Sequence, residues 1–186
     1  MSDIPTRVAS LNDLDAIAPL FDAYRQFYEQ APDLALARRF IAERLQNGES
    51  VVLLALDTAG QAIGFCQLYP SFCSVEAQPI YTLYDLFVAP TSRRTGAGKC
   101  LLLAAARLAA AHGKARMDLT TARNYHTAQS VYESLGWVRD DVFLATKTGE
   151  RTGTAARAQL EHLGEQGERD DHGGRRVVDR PPAERR

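Results

Sequence analysis

Two closely spaced glycines mark the most distinctive chemistry of this chain. Residues 83–104 read LYDLFVAPTSRRTGAGKCLLLA, which is an apolar strand, a sharp turn and a helix rich in Ala and Leu. Glycine lets a backbone turn tightly and present successive N–H groups, and a helix beginning near Gly98 would direct its positive dipole end to the same place. The turn is therefore predicted to bind phosphate. It contains Arg93, Arg94, Thr95, Gly96, Ala97, Gly98 and Lys99.

The spacing of this turn, R-x-x-G-x-G, differs from both common nucleotide-binding loops. A Walker A loop requires G-x-x-x-x-G-K-[ST], and the dinucleotide fingerprint requires G-x-G-x-x-G. The glycines alone could simply shape a turn between a strand and a helix. A second motif lies downstream, where residues 128–137 read AQSVYESLGW.

Together the two motifs resemble those of the GNAT family of N-acetyltransferases, in particular its bacterial small-substrate members. The family loop [QR]-x-x-G-x-[GA] binds the pyrophosphate of acetyl-CoA, and its second motif is A-Q-x-x-Y-E-x-x-G-[FW]. The resemblance implies acetyl-CoA as the acetyl donor and a primary amine of a small molecule or peptide as the acceptor. It also implies an α/β fold with a mixed, partly antiparallel sheet flanked by helices.

The resemblance also indicates which residues bind acetyl-CoA. The family asparagine that touches the cofactor falls on Tyr125 here, so Asn124 either takes its place after a one-residue shift or serves as a loop or capping residue. Backbone N–H groups of Phe87 or Val88 would hold the thioester carbonyl. The remaining expected contacts are the backbone amides of Arg93, Arg94, Thr95, Gly96, Ala97, Gly98 and Lys99.

Acetyl transfer requires a proton acceptor and a proton donor. An amine of pKa about 10.4 must lose a proton before it attacks, and Asp85, just before the loop, is the candidate base. Asp85 could instead bond locally to a neighbouring strand. Tyr132 matches the family tyrosine that protonates the departing thiolate, although a helix aromatic could simply pack on the sheet. Tyr84 stands where many relatives carry Asn or Glu.

The acceptor site is expected between the first two helices and residues 71–78. Tyr24, Tyr28 and Tyr84, with nearby carboxylates such as Glu29, Glu76 and Asp85, would suit a cationic amine through cation–π contacts and charge pairing. They could equally be core and surface residues. A catalytically weak CoA-binding regulatory or interaction module is the alternative function.

Composition and charge narrow the classes of partner and location that the sequence allows. A net charge of −1 over 186 residues argues against a general binder of nucleic acid or anionic membranes. With neither a leader-like N-terminus nor a long apolar run, the expectation is a soluble cytoplasmic protein. The odd cysteine count, Cys66, Cys73 and Cys100, indicates free thiols and no metal site. Relatives commonly dimerise, so a homodimer is also considered.

Hydrophobic periodicity predicts the order β-α-α-β-β-β-α-β-α-β-β within an acetyltransferase domain at residues 1–147. Residues 148–186 lack aromatic residues and are predicted to be a disordered, charged tail. Pro70 is expected to end a strand, with a loop over residues 71–79. The expected strands are 4–9, 50–56, 62–69, 80–88, 116–121 and one or two within 137–146; the expected helices are 10–28, 32–45, 98–112 and 127–135.

Overall fold

A five-stranded sheet carries four helices in a computed structural model that describes residues 4–122 and 125–140. The strands are β1 (Thr6–Val8), β2 (Val51–Leu56), β3 (Ala62–Cys73), β4 (Gln78–Val88) and β5 (Met117–Leu119). The helices are α1 (Leu14–Phe27), α2 (Leu34–Gln46), α3 (Ala97–Ala111) and α4 (His126–Ser134). The α/β class and the element order through α4 are confirmed.

The sheet is mixed, as predicted. Its strands are ordered β1-β2-β3-β4-β5; the first four are antiparallel to their neighbours, and β5 runs parallel to β4. Pairing between β4 and β5 covers only Tyr81 to Leu83 on the β4 side. In the described part of the chain, the remainder of β4 therefore leads towards the glycine turn without a strand partner on that side.

Apolar residues on alternate positions of the strands supply two cores, because successive side chains point to opposite faces of a sheet. On one face, α1 and α2 cover the strands, and the buried residues there are Ala9, Ile17, Phe21, Ala37, Ile41, Val52, Leu54, Phe65 and Phe87. On the other face α3 contributes Ala97, Leu101, Leu102 and Ala105 against Leu53, Cys66, Leu68 and Leu83. The sheet thus holds the end of β4 between two helical layers.

Local capping explains where the first two helices begin. Ser10 and Asp13 form a capping box at a short 3₁₀ helix (Leu11–Asp13) that leads directly into α1; Ser10 Oγ accepts from Asn12 N, and Asp13 accepts from Ser10 N at 2.8 Å. The side chain of Asp33 accepts from Leu36 N at 2.9 Å at the start of α2. Both helices then pack on the face of the sheet that carries Phe87.

The predicted loop over residues 71–79 is wrong. β3 continues through Pro70 to Cys73, and β4 begins at Gln78, opposite Cys73. β2 pairs with β3 only as far as Leu68, so Pro70 lies where β3 has no neighbour on the β2 side. Proline is tolerated at such an edge because its missing N–H costs no ladder bond. A long hairpin results, with a tight turn over residues 74–77.

Some predictions fall on residues that the structure does not describe. Residues 137–140 are not a strand, and the remainder of the segment expected to hold the final strands lies outside the described ranges. The tail at 148–186 also lies outside them, so the domain boundary at residue 147 stays a prediction. Among the described residues, no helix combines the length and apolar character needed to span a bilayer.

Candidate active site

The glycine turn lies between a short 3₁₀ helix (Pro90–Ser92) and α3. Gly96 has a φ of +99° and Arg94 a φ of +63°, and a side chain at Gly96 would be strained even though the space around it is open. Gly96 O accepts from Cys100 N at 3.0 Å. The N–H groups of Ala97, Gly98 and Lys99 precede that bond and have no intrahelical partner. The turn therefore presents backbone donors at a helix N-terminus, as phosphate binding requires.

Arg93 is directed back towards the sheet. Its Nε donates to Val88 O at 3.3 Å, and its guanidinium carbon lies 5.7 Å from the ring centroid of Phe27 and 5.9 Å from that of Phe87. These contacts join the end of α1, the end of β4 and the turn. They hold three segments of the candidate site together.

A β-bulge directs Asp85 inward. Gln67 pairs with Asp85 and Leu68 pairs with Leu83, so Tyr84 is an extra residue in β4. Asp85 is 5% exposed and lies on the α1 side of the sheet, whereas Tyr84 is 69% exposed. Bulges often redirect side chains beside functional sites. The sequence identified Asp85 and Tyr84, but it did not indicate their different environments.

Burial controls the acidity of Asp85. Removal from water raises the pKa of its carboxyl from 3.8 to about 6, and the Tyr24 hydroxyl opposes this rise by hydrogen bonding to the carboxylate. The pKa of Tyr24 is in turn raised, mainly by burial and then by the charge of Asp85. Asp85 is consequently ionised at neutral pH but accepts a proton more readily than an exposed carboxylate.

Four tyrosines near Asp85 are here called the tyrosine cluster. Tyr24 hydrogen-bonds to the carboxylate, Tyr28 and Tyr69 interact with its charge, and Tyr84 precedes it in β4. The rings of Tyr24 and Tyr28 are 5.1 Å apart, and those of Tyr69 and Tyr84 are 5.8 Å apart. Burial, followed by the charge of Asp85, raises the pKa of Tyr69 to about 12. The cluster combines one buried carboxylate with several aromatic rings.

Sequence reasoning missed Tyr69. The signal available was the alternation of Phe65, Gln67 and Tyr69 along β3, which places all three side chains on the face that carries Asp85. Gln67 was missed for the same reason. A polar residue within an otherwise apolar strand was the sign that this face was not purely core.

Tyr132 lies on α4, with its ring 6.0 Å from that of Trp137. It packs against the core on the α3 side of the sheet. Burial is the main cause that raises the pKa of its phenol, and interaction with Tyr28 adds to it. The phenol is therefore protonated at neutral pH. Tyr132 on α4 is therefore close enough to Tyr28, at the C-terminal end of α1, for the two phenols to interact.

Other candidate residues are less closely associated with Asp85. Asn124 lies outside the described residues, and the Tyr125 ring is 6.3 Å from that of Phe27. Glu76 is ion-paired with Arg116 at 2.7 Å at the turn of the long hairpin. Over residues 4–122 and 125–140, no group of three or more His, Cys, Asp or Glu side chains is arranged to hold a metal ion.

Comparisons with known proteins agree with this architecture. The model of the acetyltransferase (GNAT) family matches residues 15–137. An uncharacterized N-acetyltransferase YhfO from Bacillus subtilis (strain 168) is 47% identical over 138 residues, which cover 74% of this chain and 92% of that protein.

Solved structures show the same similarity. The crystal structure of a probable acetyltransferase aligns with a TM-score of 0.74 and 36% identity, covering 81% of this chain and all of that one. An aminoglycoside acetyltransferase from an uncultured soil metagenomic sample, in complex with sisomicin, aligns with a TM-score of 0.67 and 20% identity, covering 79% of this chain and 97% of that one. The second match shows the fold alone. The chain belongs to the GNAT family and is an N-acetyltransferase, from a family that uses acetyl-CoA as its acetyl donor.

Proposed function

We propose that this enzyme transfers the acetyl group of acetyl-CoA to a primary amine of a small cationic molecule, with Asp85 as the proton acceptor and Tyr132 as the proton donor. The observation that carries the proposal is the buried Asp85 carboxylate within the tyrosine cluster. An aromatic surround with one negative charge attracts an alkylammonium ion through cation–π and charge interactions.

Asp85 has the properties that a base at this position needs. Its pKa of about 6 lies closer to neutral pH than that of an ordinary carboxyl, which improves proton transfer while leaving the group ionised. The carboxylate first pairs with the ammonium and then accepts its proton. The neutral amine attacks the thioester carbonyl carbon and forms a tetrahedral intermediate.

The end of β4 would hold the thioester carbonyl. In the described part of the chain, β5 pairs with β4 only as far as Leu83. Ala89 N donates to Ile63 O on the β3 side, so the alternation of the strand turns the Val88 N–H to the opposite side, which has no strand partner there. Such donors stabilise the oxyanion of the tetrahedral intermediate. When the carbon–sulfur bond breaks, the Tyr132 hydroxyl gives its proton to the departing thiolate. The nitrogen then loses its second proton, by way of solvent, to the Tyr132 phenolate, which leaves the neutral acetylated amine and restores the phenol.

The glycine turn would bind the pyrophosphate of acetyl-CoA. Two features of the turn support this: the positive φ of Gly96, and the unpaired N–H groups of Ala97, Gly98 and Lys99. Lys99, in the first turn of α3, adds positive charge. The donor would then run from this turn along the unpaired side of β4 towards Asp85.

The most specific part of the proposal is the class of acceptor, a small cationic amine. The metagenomic aminoglycoside acetyltransferase noted above was solved with sisomicin, an observation about that protein. It is compatible with a polycationic small acceptor here, but the tyrosine cluster and Asp85 carry the argument.

The test is an acceptor screen that follows thiol release from acetyl-CoA. The panel contains polyamines, aminoglycosides, amino acids and peptides with free N-termini or lysines. We expect a small polycationic amine to give the highest kcat/KM, and kcat/KM to rise with pH through about 6 as Asp85 ionises. Asp85→Asn should lower kcat/KM by roughly 100 to 10,000-fold.

Glu43→Gln, which removes an exposed carboxylate from α2, is the control and should retain activity. A preference for neutral amines or peptides would contradict the acceptor class. Full activity of Asp85→Asn would contradict the base assignment. Acetyl-CoA binding without transfer to any acceptor would support a CoA-binding module instead.

A further inference from the structure

One buried polar atom in the sheet is unpaired. Gln67 is 0% exposed, and its Nε2 donates to Ser50 Oγ at 2.6 Å. Its Oε1 has no hydrogen-bond partner among residues 4–122 and 125–140. Leaving a buried acceptor unpaired is costly, and most buried polar atoms in native proteins are hydrogen-bonded. The position of Oε1 therefore needs an explanation.

Gln67 lies between Ser50 and Asp85. Gln67 and Asp85 face each other directly across β3 and β4, and Ser50 precedes β2 on the opposite side of β3. Directly paired residues of antiparallel strands share a face, with Cβ atoms about 4.5–5.5 Å apart. Ser50 is 6% exposed and Asp85 is 5% exposed, so all three side chains belong to one buried polar row.

We propose that Gln67 is a positioning residue for Asp85, and that its side-chain amide serves both protonation states of that carboxyl by rotating through half a turn. This inference rests on the proposed role of Asp85 as the base. It extends that role to a residue on the neighbouring strand.

Each orientation of the amide matches one state of Asp85. With Nε2 on Ser50, Oε1 is free to accept from the O–H of a protonated Asp85. After rotation, Oε1 accepts from the Ser50 hydroxyl, and Nε2 donates to the ionised carboxylate. Ser50 can act in both arrangements because a hydroxyl is both donor and acceptor. Gln67 Oε1, the atom without a partner among the described residues, is then hydrogen-bonded in both states.

The titratable phenols and the thiol around Asp85 do not change their protonation when Asp85 does. Burial raises the pKa values of the Tyr24, Tyr28 and Tyr69 phenols and of the Cys66 thiol, so these groups remain neutral around pH 6. The neighbouring groups are Tyr24 and Tyr28 on α1, Tyr69 and Cys66 on β3, Tyr84 on β4, Arg93 against Phe87, and Arg44 and Glu49 near Tyr69.

The first test is a pH titration of the full-length protein by NMR, with carboxyl-labelled Asp and amide-labelled Gln. We expect the Asp85 carboxyl carbon and the Gln67 side-chain N–H resonances to shift with the same midpoint, near pH 6. Gln67 amide resonances that stay constant while Asp85 titrates would overturn the proposal. This measurement uses the unmodified protein, so it requires neither an acetyl acceptor nor a substituted protein that still folds.

The second test is the same carboxyl titration in Gln67→Leu, with Cys66→Ala as a control. Charge-assisted hydrogen bonds are roughly twice as strong as neutral ones, so losing the amide should disfavour the ionised carboxylate more than the acid. We expect the Asp85 midpoint to rise by about one pH unit, a tenfold change in its ionisation constant. Cys66 is equally buried but faces the opposite core, so Cys66→Ala should leave the midpoint unchanged.

An unchanged midpoint in a folded Gln67→Leu protein would show that Asp85 has other partners, such as a bound water, and would overturn the proposal. Neither measurement depends on acetyl transfer. If the Gln67 amide resonances follow the titration of Asp85 but Asp85→Asn keeps full activity, the base assignment fails. The proposed interaction between Gln67 and Asp85 then still stands. If Asp85→Asn is inactive but the Gln67 amide does not respond, only this inference fails.

Discussion

Gly64 lies against the carbonyl group of Phe87 across β3 and β4. A Cβ atom at Gly64 would be 2.7 Å from Phe87 O and 3.2 Å from Cγ2 of Val88. No real Cβ approaches a backbone oxygen so closely, and a backbone oxygen cannot move aside as a flexible side chain can. Glycine at this position therefore lets β3 approach the part of β4 that is proposed to hold the thioester.

Gly64→Ala should separate the strands at this point. The expected cost is about 1–3 kcal/mol in the free energy of unfolding, as for other overpacked sites. The shift should also displace the backbone amides of Phe87 and Val88 and weaken acetyl-CoA binding. Urea denaturation and calorimetry measure the two effects. An alanine variant with parental stability and affinity would show that the strands adapt without loss.

Asp85→Asn should stabilise the protein at neutral pH while impairing the enzyme. The pKa of Asp85 is about 6 in the folded chain against 3.8 in the unfolded chain, so the folded state binds the proton more tightly. Its stabilising contribution is complete below pH 4 and is lost as pH rises through about 6. The loss amounts to up to about 3 kcal/mol at pH 8. Asparagine carries no charge at any of these pH values, so the Asp85→Asn protein should not lose this stability as pH rises.

Thermal denaturation at several pH values checks this prediction. The melting temperature of Asp85→Asn should match the parent near pH 4 and exceed it by several degrees at pH 8, since each kcal/mol corresponds to roughly 2–4 °C. Glu43→Gln on the surface of α2 should show no such trend. A variant that is less stable than the parent at pH 8 would mean that the hydrogen bonds of the charged carboxylate outweigh the cost of its burial.

Tyr132→Phe should keep the fold and the affinity for acetyl-CoA but lower kcat. The ring still packs beside Trp137, whereas the proton donor to the thiolate is lost. General acid assistance is worth about 100 to 10,000-fold. The measurements are kcat with the preferred acceptor and Kd for acetyl-CoA. Glu43→Gln on the surface of α2 is the control. A kcat within twofold of the parent for Tyr132→Phe would return Tyr132 to a packing role.

Gly98→Glu should weaken acetyl-CoA binding at least about tenfold, which corresponds to 1.4 kcal/mol. The substitution places a negative charge at the helix N-terminus that is proposed to face the pyrophosphate. Gly98→Ala is the matched control because its Cβ would be 3.8 Å from Cγ2 of Val88, an ordinary contact. Calorimetry distinguishes the two variants. Equal affinity for parent and Gly98→Glu would exclude this turn as the phosphate site.

The sequence by itself determined the features that depend on residues close to one another along the chain. The capping box at Ser10 and the glycine turn before α3 are local, because the groups that bond or turn there lie within a few residues of one another. Periodicity located α1 to α4 and the five strands to within a few residues. The family motifs identified Asp85 and Tyr132 as candidates, and their catalytic roles stay predictions.

Only the tertiary structure decided how distant residues meet. The bulge at Tyr84, the extension of β3 through Pro70 and the pairing of Gln67 with Asp85 all depend on the register between two strands. Register is set by the side chains that the whole sheet buries, so no short stretch of sequence specifies it. The acidity of Asp85 has the same origin, because α1 and the sheet together remove its carboxyl from water.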